Sequence, residues 1–159
     1  VEKIAFNEKV SPEDFILLRA AVLFHDFGYI DKYLDNETMG ADYAREILPK
    51  YGFSPSQIIK ICDLISSTKV PQKPNNHLER IICDADLDYL GRKDFLSISS
   101  NFYRELKEYG MVKNKNHWDE IQIKFLRAHH FFTEYSINNR SILKKKHLEF
   151  IKSRVSKNK

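Results

Sequence analysis

Cysteine is nearly missing from this chain of 159 residues. The two thiols, Cys62 and Cys83, stand without CxxC spacing, which argues against a disulfide framework or a thiolate zinc site and leaves two buried thiols as the expectation. No run approaches the roughly 18 to 20 consecutive apolar residues of a bilayer span, and no basic segment leads into a long apolar stretch near Val1. A cytoplasmic protein without membrane association is the default. Glycine and proline are scarce too, five of each, and no stretch alternates polar and apolar residues as strands do. Helices are what remain.

What is present suits one compact domain, because 42% hydrophobic residues and 13% aromatics can fill a core of this size. The charge is uneven. Residues 1–110 carry 14 Lys and Arg against 18 Asp and Glu, whereas residues 111–159 carry 12 against 4. A basic end of this kind can meet an anionic ligand or nucleic acid, but a solvated helix face with a frayed tail is the plainer reading. Nucleic acid is accordingly not expected as a partner, and an oligomer is left open.

The cap signals predict about seven helices. Ser11-Pro12-Glu13-Asp14 starts a helix that runs to about Phe27 and ends at Gly28. Its run from Ile16 to Phe24 is apolar nearly all round, which predicts burial on most sides. Helices are also predicted over about Thr38 to Lys50, closed by Gly52, and from Ser54-Pro55 to about Thr68. Pro71 and Pro74 force a loop. Further helices are predicted from about Asn76 to Leu90, from near Asp94 to before Gly110, and over 117–135 and 138–155.

His25-Asp26 closes the apolar helix, where a polar pair is costly to bury without a partner. Imidazole nitrogen and carboxylate oxygen together suit a divalent ion, yet the dipeptide alone carries little information. Further along, Asp84, Asp86 and Asp88 recur at every second position on a helix whose apolar face is set by Leu78, Ile81, Ile82, Ala85 and Tyr89. Asp86 and Asp88 fall about 80° to either side of that face, where a buried metal or a buried arginine would each justify a carboxylate. Asp84 falls about 120° away and is expected to face solvent. A salt-bridging or capping acidic cluster explains the same residues without a metal.

Taken in order, Leu23-Phe24-His25-Asp26-Phe27-Gly28, Asn36-Glu37 with Ala41 and Ala44-Arg45-Glu46-Ile47-Leu48, Ile65-Ser66-Ser67-Thr68-Lys69, and Asp84-Ala85-Asp86-Leu87-Asp88-Tyr89-Leu90-Gly91 resemble the HD superfamily of metal-dependent phosphohydrolases. The resemblance spans about Phe15 to Phe95. It continues more loosely through Phe125-Leu126, His129, Phe132-Thr133, Arg140 and Lys144. It implies an all-α, single-domain helical bundle of the HD-domain type, with residues 1–110 as the metal-site core and residues 111–159 as basic helices packed on the same domain.

The resemblance further implies that His25, Asp26 and Asp86 bind a divalent metal ion, with Mn, Mg, Fe, Zn and Ni not distinguished. The family's upstream histidine has no counterpart, since residues 1–24 contain none; the chain either begins after that helix or lacks the ligand. Asp35-Asn36-Glu37 and Thr68-Lys69 stand where intermediate histidines often lie, which speaks against a two-metal cluster. The implied activity is hydrolysis of a small phosphorylated metabolite, most naturally a nucleotide, by attack of metal-bound hydroxide on phosphorus. Asp26 and Glu37 are the candidate catalytic carboxylates, and Lys69, Arg92 and His129 the candidate substrate contacts. The alternative is a non-catalytic HD module that binds a nucleotide or a partner and regulates.

Overall fold

A computed structural model describes residues 1–27 and 36–157, and all regular structure among them is helical. Eight α-helices run along the described chain: α1 (Glu2–Asn7), α2 (Pro12–Phe24), α3 (Asn36–Ile47), α4 (Pro55–Ser67), α5 (His77–Asp86), α6 (Phe95–Glu108), α7 (Lys115–Ala128) and α8 (Glu134–Lys157). Two short 3-10 turns, Leu48–Tyr51 and Asp88–Gly91, follow α3 and α5. None of the described helices is long and apolar enough to cross a membrane. The chain divides into two compact units, Val1–Asp86 and Leu87–Lys159.

Helix starts follow the cap chemistry. The Ser11 hydroxyl accepts from the Asp14 amide at 3.1 Å with Pro12 in the first turn. Ser54 and Gln57 form a reciprocal capping box, each side chain accepting from the other's backbone amide, so two otherwise orphaned donors are satisfied. The 3-10 turn Leu48–Tyr51 that follows α3 ends at Gly52 in the left-handed region, φ 81°. A Cβ built there meets nothing within 4 Å. Gly52→Ala should therefore cost only the left-handed backbone penalty, about 1 kcal/mol, as read by urea unfolding.

In the first unit α2 carries Leu17, Leu18, Ala21 and Phe24 into a core shared with Ala41 and Ala44 of α3, Ile61 and Ile65 of α4, and Ile81 and Ile82 of α5. Two expectations fail here. Leu23 is 74% exposed and Ile16 is exposed as well, so α2 is not buried on most sides within this unit. Asp84, expected to face solvent, is 0% exposed. The helix predicted through Leu90 ends at Asp86, and the predicted stop at Gly28 lies outside the described residues.

The second unit packs Leu87, Leu90, Phe95, Leu126, Phe131 and Ile151 together. His147, to which the sequence assigns no role, is buried there; it lies 3.0 Å from the Leu90 carbonyl through Nδ1 and stacks on Phe95 at 4.5 Å. The helix predicted over 117–135 is cut after Ala128, where His129 turns to an extended ψ of 140°. Thr133 then accepts from the Ser136 amide at 3.2 Å and opens α8. Part of the basic excess of α8 is spent internally. Arg140 holds Asp88, Arg154 holds the buried Asp119, and Lys144 reaches the His129 carbonyl.

Candidate metal centre

The last turn of α2 sets the site. His25 caps the helix, its amide donating to the Ala21 carbonyl at 2.9 Å, and its ring Nδ1 lies 2.8 Å from the Val22 carbonyl. A carbonyl can only accept, so Nδ1 carries a proton. That leaves Nε2 to face outward. It stands 3.3 Å from Asp26 Oδ2 and 3.6 Å from Asp86 Oδ1.

A bare imidazole lone pair pointed at two carboxylates is repulsive, so this position calls for a positive charge between them. In the metal-free chain a proton supplies it. Burial by itself would push His25 down, but the Asp86 hydrogen bond, the Asp26 charge, the Val22 carbonyl and the Asp86 charge outweigh it and raise the imidazole to about 9. Asp26 is pushed above the ordinary carboxylate value by burial, against the pull of His25, with Asp86 adding to the rise. The three groups differ in access: the side chains of His25 and Asp86 are 17% and 22% exposed, that of Asp26 62%.

A second layer holds these groups in place. Gln72, in the loop between α4 and α5, donates to Asp86 Oδ2 at 3.0 Å and lies 3.4 Å from both the Thr68 and Cys83 carbonyls. The buried Asn36 donates to the His25 carbonyl at 3.3 Å. Gly40 brings α3 against the end of α2 so closely that an added Cβ would stand 2.2 Å from the Phe24 carbonyl oxygen. The Cys83 thiol donates to the Ser67 carbonyl at 3.1 Å, and burial pushes it up to about 12, so it stays protonated and takes no part as a thiolate.

Asp88 takes the other option open to an edge carboxylate. Arg140 donates to it through Nε at 2.6 Å and Nη2 at 3.3 Å, and Arg92 stands 3.9 Å away. The two aspartates thus part company: Asp86 meets an imidazole in the first unit, while Asp88 meets an arginine in the second.

The remaining candidates are placed as follows. Glu37 is half-buried in the first turn of α3, beside Asn36, and among the described residues no ion pair ties it to His25, Asp26 or Asp86. Lys69 is exposed just after α4 and lines a surface cleft of about 660 Å³ with Lys73 and Glu79. Arg92 lies in the second unit, paired with Asp94. His129, also in the second unit, lies beside Lys144, and burial, Lys144 and His130 push it down to about 3.

The donor chemistry fits a divalent ion: one imidazole nitrogen with its other ring nitrogen tied to a carbonyl, and two carboxylates. Ligands about 2.0–2.2 Å from an ion stand about 3–3.5 Å from one another; the Nε2 separation from Asp26, 3.3 Å, lies in that range and that from Asp86, 3.6 Å, just beyond it. No group of three or more His, Cys, Asp or Glu side chains among the described residues forms a ready-made cage; the contacts run pairwise through Nε2, as ion pairs do. At that nitrogen a proton and a metal ion would compete. Comparison with protein-family models, with curated proteins and with solved structures finds no match to this chain.

Proposed function

We propose that His25, Asp26 and Asp86 hold a divalent metal ion and that the chain is a metal-dependent phosphohydrolase acting on a small phosphorylated metabolite, with a nucleotide as the first class to test. One observation carries this reading: His25 and Asp86, 61 positions apart, meet in the fold, with Asp26 beside them, at one ring nitrogen, His25 Nε2. Three protein ligands also leave positions open for water and substrate, as catalytic sites require. The HD resemblance supplies the reaction class.

When bound, a divalent ion contributes Lewis acidity, activating water and polarising a phosphoryl oxygen at neutral pH. The chain's own residues do the rest. The Val22 carbonyl fixes the His25 tautomer, so that Nε2 and not Nδ1 is presented. Gln72 holds one oxygen of Asp86 and leaves the other directed at His25. Asp26 is the most exposed of the three, which suits it to orient an attacking water as well as to hold the ion. Glu37 is a candidate base, and Lys69 a candidate phosphate contact from the same unit.

Metal content and phosphate release from a nucleotide panel test the reading. His25→Ala and Asp86→Ala should abolish both metal uptake and turnover, and Gln72→Leu should weaken metal binding about 10- to 100-fold, the usual effect of losing an outer partner. A wild-type chain that takes up no Mn or Zn, or turnover indifferent to both alanine variants, would sink it. Thermal stabilisation by a nucleotide without hydrolysis would support the regulatory module instead.

A further inference from the structure

The second unit contains an opening that the metal centre does not use. It is a surface pocket of about 190 Å³ whose rim includes the exposed Phe102 and Ile121. The walls are aromatic: Tyr89, Phe95, Phe102, Trp118 and Phe125. Phe95 is locked on the inner side by stacking on His147 at 4.5 Å, and Tyr89 packs against both Phe95 and Phe102, at 6.3 and 5.9 Å.

The polar groups at its base are already occupied with one another. The Trp118 indole N–H donates to the Ser99 hydroxyl at 3.3 Å, and Ser99 donates to the Gln122 side-chain oxygen. Gln122 in turn donates to Asp119 at 3.2 Å, and Arg154 holds that carboxylate. No lining side chain is among the buried polar atoms that lack a partner in the described residues. A guest therefore finds aromatic faces and edges and no polar group seeking a partner.

We propose that this cavity is a binding site for a small neutral aromatic molecule of one ring. The volume is of the right size, since benzene fills an enclosed apolar cavity of about 150 Å³ and this pocket, with its exposed lip, is slightly larger. Aromatic walls favour an aromatic guest through edge-to-face contacts. A carboxylate on the guest would enter without a donor and be rejected. The site stands on the second unit alone and does not depend on the metal-site reading.

Trp118 is the only tryptophan of the chain, so its emission reports occupancy directly. Toluene titrated into the whole chain should shift that emission saturably, with a calorimetric Kd of about 0.1–1 mM as expected for so few heavy atoms. Benzoate and methylcyclohexane should each bind at least tenfold more weakly. Ile121 lies at the exposed lip of the cavity, so Ile121→Trp should fold and weaken toluene binding tenfold or more by calorimetry. Absence of a saturable response in the wild type would overturn the proposal. So would benzoate or methylcyclohexane binding as tightly as toluene, or toluene binding unchanged in a folded Ile121→Trp variant.

Discussion

Between pH 6.5 and 9 the metal-free chain is expected to lose about 3 kcal/mol of stability, and the loss should be absent from His25→Gln. The folded-state value of His25 is raised from 6.5 to about 9. A group raised in this way adds stability that is fully present below 6.5 and disappears as the pH climbs through about 9. Its side chain is 17% exposed, so solvent screening removes little, and each tenfold gain in proton affinity is worth about 1.4 kcal/mol. Asp26 is raised as well, and its contribution has the same sign. Urea unfolding of the wild type and of His25→Gln, each at pH 6 and at pH 9.5, reads the share that belongs to His25.

The same proton makes a statement about metal binding. An ion at Nε2 must displace it, so affinity should rise about tenfold per pH unit from neutrality toward pH 9 and then level off. A stability profile flat from pH 6.5 to 9 in the wild type would show that Nε2 does not carry the charge, and with it the geometric case for a cation there would fall.

The pairing of His25 with Asp86 was legible only through the HD resemblance. Periodicity supplied less: that His25 and Asp26 close a helix, and that Asp86 flanks the core face of another, where a metal and an arginine were equal options. Asp88 was legible only as a pair of options, and Arg140 decides it in favour of the salt bridge. Asp84 was misread for an identifiable reason. Counting Tyr89 on the apolar face of α5 rotates that face away from Asp84, but α5 stops at Asp86 and Tyr89 belongs to a 3-10 turn; with Ile81, Ile82 and Cys83 buried beside it, Asp84 faces inward.

Gln72 had no signal at all. It sits in a loop between two prolines, and its partner lies 14 residues away, a distance no helical repeat encodes. The break at His129 was hidden in a similar way, since Phe131 and Phe132 continue the apolar pattern of α7 while the backbone leaves the helix. The Thr133 hydroxyl, which accepts from the Ser136 amide, was the available signal.

Gly40→Ala is expected to destabilise the chain by about 3 kcal/mol and to weaken metal binding with it. Two effects oppose each other. In a helix interior alanine is favoured over glycine by about 1 kcal/mol, which alone would stabilise α3. Against it, the new Cβ would stand 2.2 Å from the Phe24 carbonyl oxygen and 3.2 Å from its carbon, and backbone atoms cannot rotate aside as a side-chain tip can. Relief requires α3 to move off the end of α2, an overpacking cost of a few kcal/mol, so the clash wins. That movement also pulls Asn36 from the His25 carbonyl and frees the turn that aims Nε2 at Asp86. Stability and metal affinity should therefore fall together in Gly40→Ala, whereas Gly52→Ala should change stability slightly and leave affinity alone. A Gly40→Ala chain with wild-type unfolding and wild-type metal affinity would show that the close approach of α3 does not position the site.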